Sequence, residues 1–174
     1  MGIQSHHRER IEGMSIFTDI RSLTKGSGKS ETWYRKQWTK RIQGFQQSRP
    51  QVGGIYYFHY IAKEPERMEW YDRYPFAYCI AVDGTGWLGA NLHYLAPSSR
   101  LGTVNQIKSA GDQAALFFPK STIHRYRNTE IKSPVYKIPE EEWDAVQLPL
   151  EYFVDESPLA PNGTRRIPAK KVWG

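Results

Sequence analysis

Three side chains in the 174-residue chain could do acid–base work: His59, Asp72 and His93. An imidazole near a carboxylate or a second imidazole can move protons close to neutral pH, as a small-barrel endoribonuclease would require. No nucleophile stands in an evident partnership with them. The strand region carrying His93 also lacks the clustered carboxylates that a metal nuclease places around its ion. Asp72 lies in Tyr71-Asp72-Arg73-Tyr74-Pro75, where an Asp–Arg pair between tyrosines can lock a turn, and Pro75 forces Tyr74 into extended backbone. Asn91 and His93, two residues apart on a predicted strand, would share one face. A structural use of Tyr71–Pro75, Asn91 and His93 is the expectation, with no catalytic residue, no metal and no cofactor.

The other chemical motifs are incomplete. Gly26-Ser27-Gly28-Lys29-Ser30 resembles the end of a phosphate-binding loop, but Leu23 stands where the first glycine belongs and no hydrophobic strand precedes it. A flexible basic hinge is the better reading. His6 and His7 have no further ligands nearby in sequence. Cys79, the single cysteine, lies in an apolar run and reads as a small buried thiol. A lone cysteine and the lack of a signal-like apolar stretch point to an intracellular folding environment. No run approaches the roughly 18 apolar residues that a membrane span needs.

Charge is the stronger signal. The net charge of +6 is uneven: residues 1–49 hold ten Lys or Arg against four acids, 50–155 ten against thirteen, and 156–174 four against one. Basic ends on a slightly acidic middle suit phosphate contacts or an acidic partner; solvated termini are the plainer alternative. The candidate contacts are Arg35, Lys36, Lys40 and Arg41 in the first part, the pair Arg125 and Arg127 around Tyr126, and Arg165, Arg166, Lys170 and Lys171 near the end. Arginine beside tyrosine combines phosphate contact with stacking.

These residues need a scaffold. Ile16, Ile20 and Leu23 predict a short helix over 15–24, and Trp33, Tyr34, Trp38, Ile42 and Phe45 predict an amphipathic one over 31–45. Strands are expected at 54–62, 75–82 and 87–95, with Asp83-Gly84-Thr85-Gly86 as a hairpin and Gly89 as a bulge or bend. A helix over 104–118 and short strands at 135–138 and 145–148, the last extended through 150–154, complete the pattern. The organisation expected is a flexible basic arm (1–30), an amphipathic helix (31–49), a β-rich core (50–155) and an extended basic tail (156–174). The fold class is mainly β within α+β, as a small SH3-like or partly open β-barrel.

Gly54-Ile-Tyr-Tyr-Phe-His-Tyr60, Tyr71-Asp-Arg-Tyr-Pro-Phe76 and Gly86-Trp-Leu-Gly-Ala-Asn-Leu-His-Tyr-Leu95, with Ile138-Pro-Glu-Glu-Glu-Trp-Asp144, resemble a family of small virion proteins of contractile-tailed bacteriophages. The family is described as DNA end protectors or head-completion proteins, and the likeness covers roughly residues 33–155. It implies a virion protein at the head–tail junction, assembled in the host cytoplasm and oligomeric within the particle. Its expected partners are portal, neck or tail subunits and double-stranded DNA ends, with no membrane. Alternatives are a baseplate or tail-completion subunit that binds only protein, and the small-barrel endoribonuclease.

Overall fold

Alternation along the central strands builds a sheet with apolar side chains on both faces. In the computed structural model, residues 13–65, 68–156 and 163–174 are described. Helices α1 (Ile16–Ser22) and α2 (Glu31–Arg41) precede strands β1 (Gln46–Gln47), β2 (Ile55–Tyr57), β3 (Tyr71–Asp72), β4 (Phe76–Val82) and β5 (Gly86–Asn91). Then come α3 (Pro97–Ala110), β6 (Ile123–Arg127), β7 (Val135–Ile138), β8 (Phe153–Asp155), β9 (Arg165–Arg166) and α4 (Ala169–Trp173). Six strands form an antiparallel sheet in the order β1-β7-β2-β4-β5-β6, and β3-β8-β9 form a second sheet. The fold is α+β. No pairing among the described residues closes β1 onto β6, so the larger sheet is open.

Ile55, Tyr57, Phe76 and Tyr78 face the helices, where Trp38 of α2 meets the Tyr57 and Phe76 rings, each at 6.0 Å. Tyr56, Phe58, Ala77, Cys79 and Trp87 fill the other face with Tyr126 and Val154. Side chains two apart share a face of a strand, so the aromatic density of 55–60 supplies both layers. Burial pushes the Cys79 thiol up to about 11, which keeps it protonated and inert.

Helices α1 and α2 start where serine caps them. Ser15 Oγ accepts from Thr18 N and Ser30 Oγ from Trp33 N. The glycine-lysine segment before Ser30 therefore joins two helices, and the element directly ahead of it is α1 rather than the strand that a phosphate loop needs. Arg41 Nε donates to Asp19 Oδ2 at 2.9 Å and ties α2 to α1.

Several elements differ from expectation. The 104–118 helix begins earlier, at Pro97, and Gly111 (φ 55) converts it to a 3-10 turn over Gly111–Phe117. Residues 145–148 are not a strand: Glu140–Gln147 is a 3-10 helix whose three-residue repeat buries Trp143 with Val146 and Ala145 with Leu148. The β4–β5 irregularity lies at the Gly89 pairing, but its extra residue is on β4, between Cys79, the partner of Gly89, and Ala81, the partner of Leu88. Gly89 also leaves room for Trp87, whose ring a Cβ there would meet at 2.7 Å. Strand β5 stops at Asn91, whose Oδ1 accepts from His93 N and caps a 3-10 turn over Leu92–Tyr94, so His93 lies beyond the strand. The expected extended tail is structured over 163–174: β9 pairs with β8, Ile167 is buried, and the Trp173 indole donates to His93 O at 2.9 Å. His6 and His7 lie outside the described residues.

Gly86 sits directly against β6. A Cβ there would lie 2.2 Å from Tyr126 O, a backbone atom with no freedom to retreat. Gly86→Ala is expected to cost about 2 kcal/mol or more through strand displacement, read as a shifted urea midpoint.

Candidate nucleic-acid interface

Asp72 organises this region from the inside. Its Oδ2 accepts from His93 Nδ1 at 2.7 Å and from Asn91 Nδ2 at 3.0 Å. Its Oδ1 accepts from Tyr74 N at 3.0 Å and Tyr152 N at 2.9 Å. One carboxylate thus satisfies two side chains of the β5 end and pins the backbones of two tyrosines 78 residues apart (152 − 74). Burial alone would raise the Asp72 pKa, but the His93 imidazole and the converging donors hold it below the usual carboxylate value.

The pair resembles a catalytic dyad but sits where no substrate reaches it: Asp72 is 2% exposed and His93 0%. His59 is elsewhere, stacked on Tyr74 at 5.0 Å, its pKa lowered by burial and then by Arg73. The acid–base set considered for an endoribonuclease therefore shares no exposed surface. Below it, Arg100 is completely buried and donates to Leu95 O (2.9 Å), Val146 O (3.1 Å), His93 O (3.1 Å) and the Glu151 carboxylate (3.4 Å). The guanidinium also lies 5.2 Å from the Trp173 ring.

The tyrosines that Asp72 pins carry the cationic surface. Three guanidinium groups gather on Tyr152: Arg166 at 3.7 Å from the ring centroid, Arg35 at 5.1 Å and Arg73 at 5.6 Å. Arg35 also lies 5.3 Å from the Tyr74 ring, which is edge-on to Tyr152 at 6.2 Å. Such contacts hold guanidinium planes in place while leaving their edges free to donate. The counter-charges are Glu31, bonded to Arg166 and 3.9 Å from Arg35, and Glu156, 2.7 Å from Arg73. Glu156 Oε1 also accepts from the Tyr71 hydroxyl, whose pKa burial and that carboxylate raise to about 12.

Of the ten cations expected from sequence, Arg35 and Arg166 meet in this cluster although one comes from α2 and the other from β9. Lys171 approaches the Trp70 ring at 5.9 Å, beside β3. Lys36, Lys40, Lys170 and Lys171 are exposed, with no ion pair among the described residues. Arg165 is exposed and pairs with Asp155 at 3.0 Å. Arg41 is committed to Asp19 and the Gln37 carbonyl. Arg125 grips Asp83 at 2.7 and 3.0 Å and Thr85 at 2.7 Å, which makes it a brace of the β4–β5 hairpin. Arg127 is exposed on β6, and no ring contact links it to Tyr152. Tyr152 itself escaped sequence reasoning, because nothing near it in the chain marks it as different from a core aromatic.

A cleft of about 520 Å³ lies at the turn of the β4–β5 hairpin, lined by Arg49, Val82, Asp83, Trp87 and Ser133, and none of these ten cations lines it. No group of three or more His, Cys, Asp or Glu that could hold a metal ion occurs among the described residues. Nor, among them, is any helix long and apolar enough to cross a membrane.

The fold and this surface define an α+β protein whose packed aromatic scaffold carries arginine and lysine on its surface. The profile of the family described as Phage T4 terminal DNA protecting protein matches residues 15–116, and the chain belongs to that family. The match includes α1 and runs past Leu95 through α3. The Ile138–Asp144 element and Tyr152 lie beyond it. No curated protein and no solved structure matches the chain.

Proposed function

We propose that this protein caps the ends of packaged phage DNA at the head–tail junction, completing the head and shielding the duplex ends from exonuclease. The observation that carries the reading is the triad of guanidinium groups held on Tyr152, in a protein whose α2 and α4 also expose lysines with no ion pair among the described residues. Family membership supports the terminal-DNA role. End protection needs coverage rather than turnover, and rigid rings with charge at their rim supply it. Lys36, Lys40, Lys170 and Lys171 would follow the phosphate backbone while the arginine cluster meets the terminus. Portal, neck or tail subunits would hold the protein in the particle.

The test combines exonuclease protection with salt dependence on blunt linear duplex DNA. Wild-type protein is expected to delay digestion, and about five phosphate contacts would give a slope near −4 to −5 for log affinity against log salt. Replacing Lys36, Lys40, Lys170 and Lys171 together by glutamine should flatten that slope and weaken binding at least tenfold. Protein that gives neither protection nor salt-sensitive affinity would support the protein-only baseplate or tail-completion alternative.

A further inference from the structure

We infer that the Arg35–Arg73–Arg166 cluster is a phosphomonoester site, selecting a terminal phosphate of DNA over the internal phosphodiesters. The inference rests on the DNA-end reading above and gives it a chemical basis for telling an end from the middle of a duplex.

The charge arrangement points this way. Glu31 bonds Arg166 and lies 3.9 Å from Arg35, so one carboxylate serves two guanidinium groups. Glu156 Oε1 is shared between Arg73 Nη2 and the Tyr71 hydroxyl, each at 2.7 Å. Among the described residues three cations thus face two carboxylates, with the exposed Lys171 beside the same small sheet. The donors are also under-used: Arg35 donates at 3.4 Å to Glu151 O, and Arg73 Nε is buried without a partner among the described residues. Each guanidinium carries five N–H groups in a planar fork, and stacking on a ring consumes none of them.

A terminal phosphate fits that surplus better than a backbone phosphate. It presents three free oxygens and a charge of about −1.5 to −2 at neutral pH, as a phosphorylated side chain does. An internal phosphodiester offers two free oxygens and a single charge. Three forks from α2, the Tyr71–Pro75 turn and β9 can bond three oxygens from separate directions, and charge-assisted bonds of this kind are roughly twice as strong as neutral ones. Glu31 is well placed to yield, since its side chain is 42% exposed and that of its partner Arg166 39%.

The experiment measures affinity for one blunt duplex prepared with 5′-phosphate, 3′-phosphate or hydroxyl ends, and for a trinucleotide with and without a 5′-phosphate. Phosphorylated duplex ends are expected to bind at least about tenfold more tightly than hydroxyl ends, and the 5′ and 3′ arms identify which terminus is read. That ratio should fall towards one in Arg166→Gln, whose side chain lies at the surface, and in Arg35→Gln, each checked for an unchanged melting curve. Equal affinity for all three ends, or discrimination that survives both substitutions, overturns the phosphate site. Protein that shields hydroxyl and phosphate ends alike keeps the protective role and loses this site. Protein that prefers the phosphorylated trinucleotide but shields no duplex keeps the site and loses the protective role, and protein that binds neither overturns both.

Discussion

Asp72→Asn is expected to destabilise the protein by about 3–5 kcal/mol, because several buried donors lose the charged acceptor that they share. Four donors converge on this carboxylate, from His93, Asn91, Tyr74 and Tyr152. An asparagine keeps one acceptor oxygen and turns an NH₂ group towards donors that need an acceptor. For a chain of this length the loss corresponds to a fall in Tm on the order of 10 °C. The sign of the pH dependence follows from the lowered Asp72 pKa. A carboxylate whose folded pKa lies below its unfolded value of about 3.9 stabilises the fold fully above that value, and the contribution disappears as pH falls through the folded pKa. The gap between wild type and variant should therefore be constant from about pH 5 upward and close in stronger acid. Thermal melts across that range check it. A gap that widened on acidification would mean that Asp72 is protonated in the folded protein. Because Tyr74 and Tyr152 lose their anchor together, DNA-end shielding should weaken even at temperatures where the variant stays folded.

Arg100→Leu should be comparably severe, at about 3–5 kcal/mol. The substitution strands the Glu151 carboxylate, itself only 3% exposed, and removes a donor from each of three carbonyls, Leu95 O, Val146 O and His93 O. Glu151→Leu in the same background should recover part of the loss by removing the orphaned charge, whereas the carbonyls lack the Arg100 donor in both proteins. A double-mutant cycle by urea denaturation gives the coupling. Additive effects would show that the pair contributes no interaction of its own and that Arg100 acts through the carbonyls alone. The single variant should also release Trp173, whose ring lies over Arg100 and whose indole shares the His93 carbonyl. Increased protease sensitivity around α4 would report that release.

Much of the scaffold was legible because it is local. Ser15 and Ser30 cap helices whose apolar spacing is plain, and Asp83-Gly84-Thr85-Gly86 forms the hairpin that its composition predicts. Ala145–Leu148 misled because a four-residue apolar run fits a buried strand and a 3-10 turn equally well, and only packing under α1 and α3 decides. Arg125-Tyr126-Arg127 looked like a surface patch, yet its exposed–buried–exposed alternation is that of an edge strand with Tyr126 in the core. The interface was half visible. Its cations could be named, but their grouping depends on Asp72, which joins residues 74, 91, 93 and 152, and no sequence period encodes such a junction. The Asp–Arg pair expected to lock the Tyr71–Pro75 turn does not form: Arg73 pairs with Glu156, and Asp72 instead bonds the backbone of Tyr152, far along the chain.

The strand order carries a consequence for synthesis. Strand β7 lies between β1 and β2, pairing Tyr136 with Gln46 and Ile138 with Ile55. A nascent chain that has emerged as far as β6 can assemble β2, β4, β5 and β6, but one edge of Ile55–Tyr57 stays bare and β1 has nothing to join. Closing such distant pairs is slow, and a bare apolar edge recruits other chains while it waits. Translation rate between residues 57 and 135 should therefore govern how much protein reaches the folded state, and pausing before Val135 should favour aggregation on the ribosome.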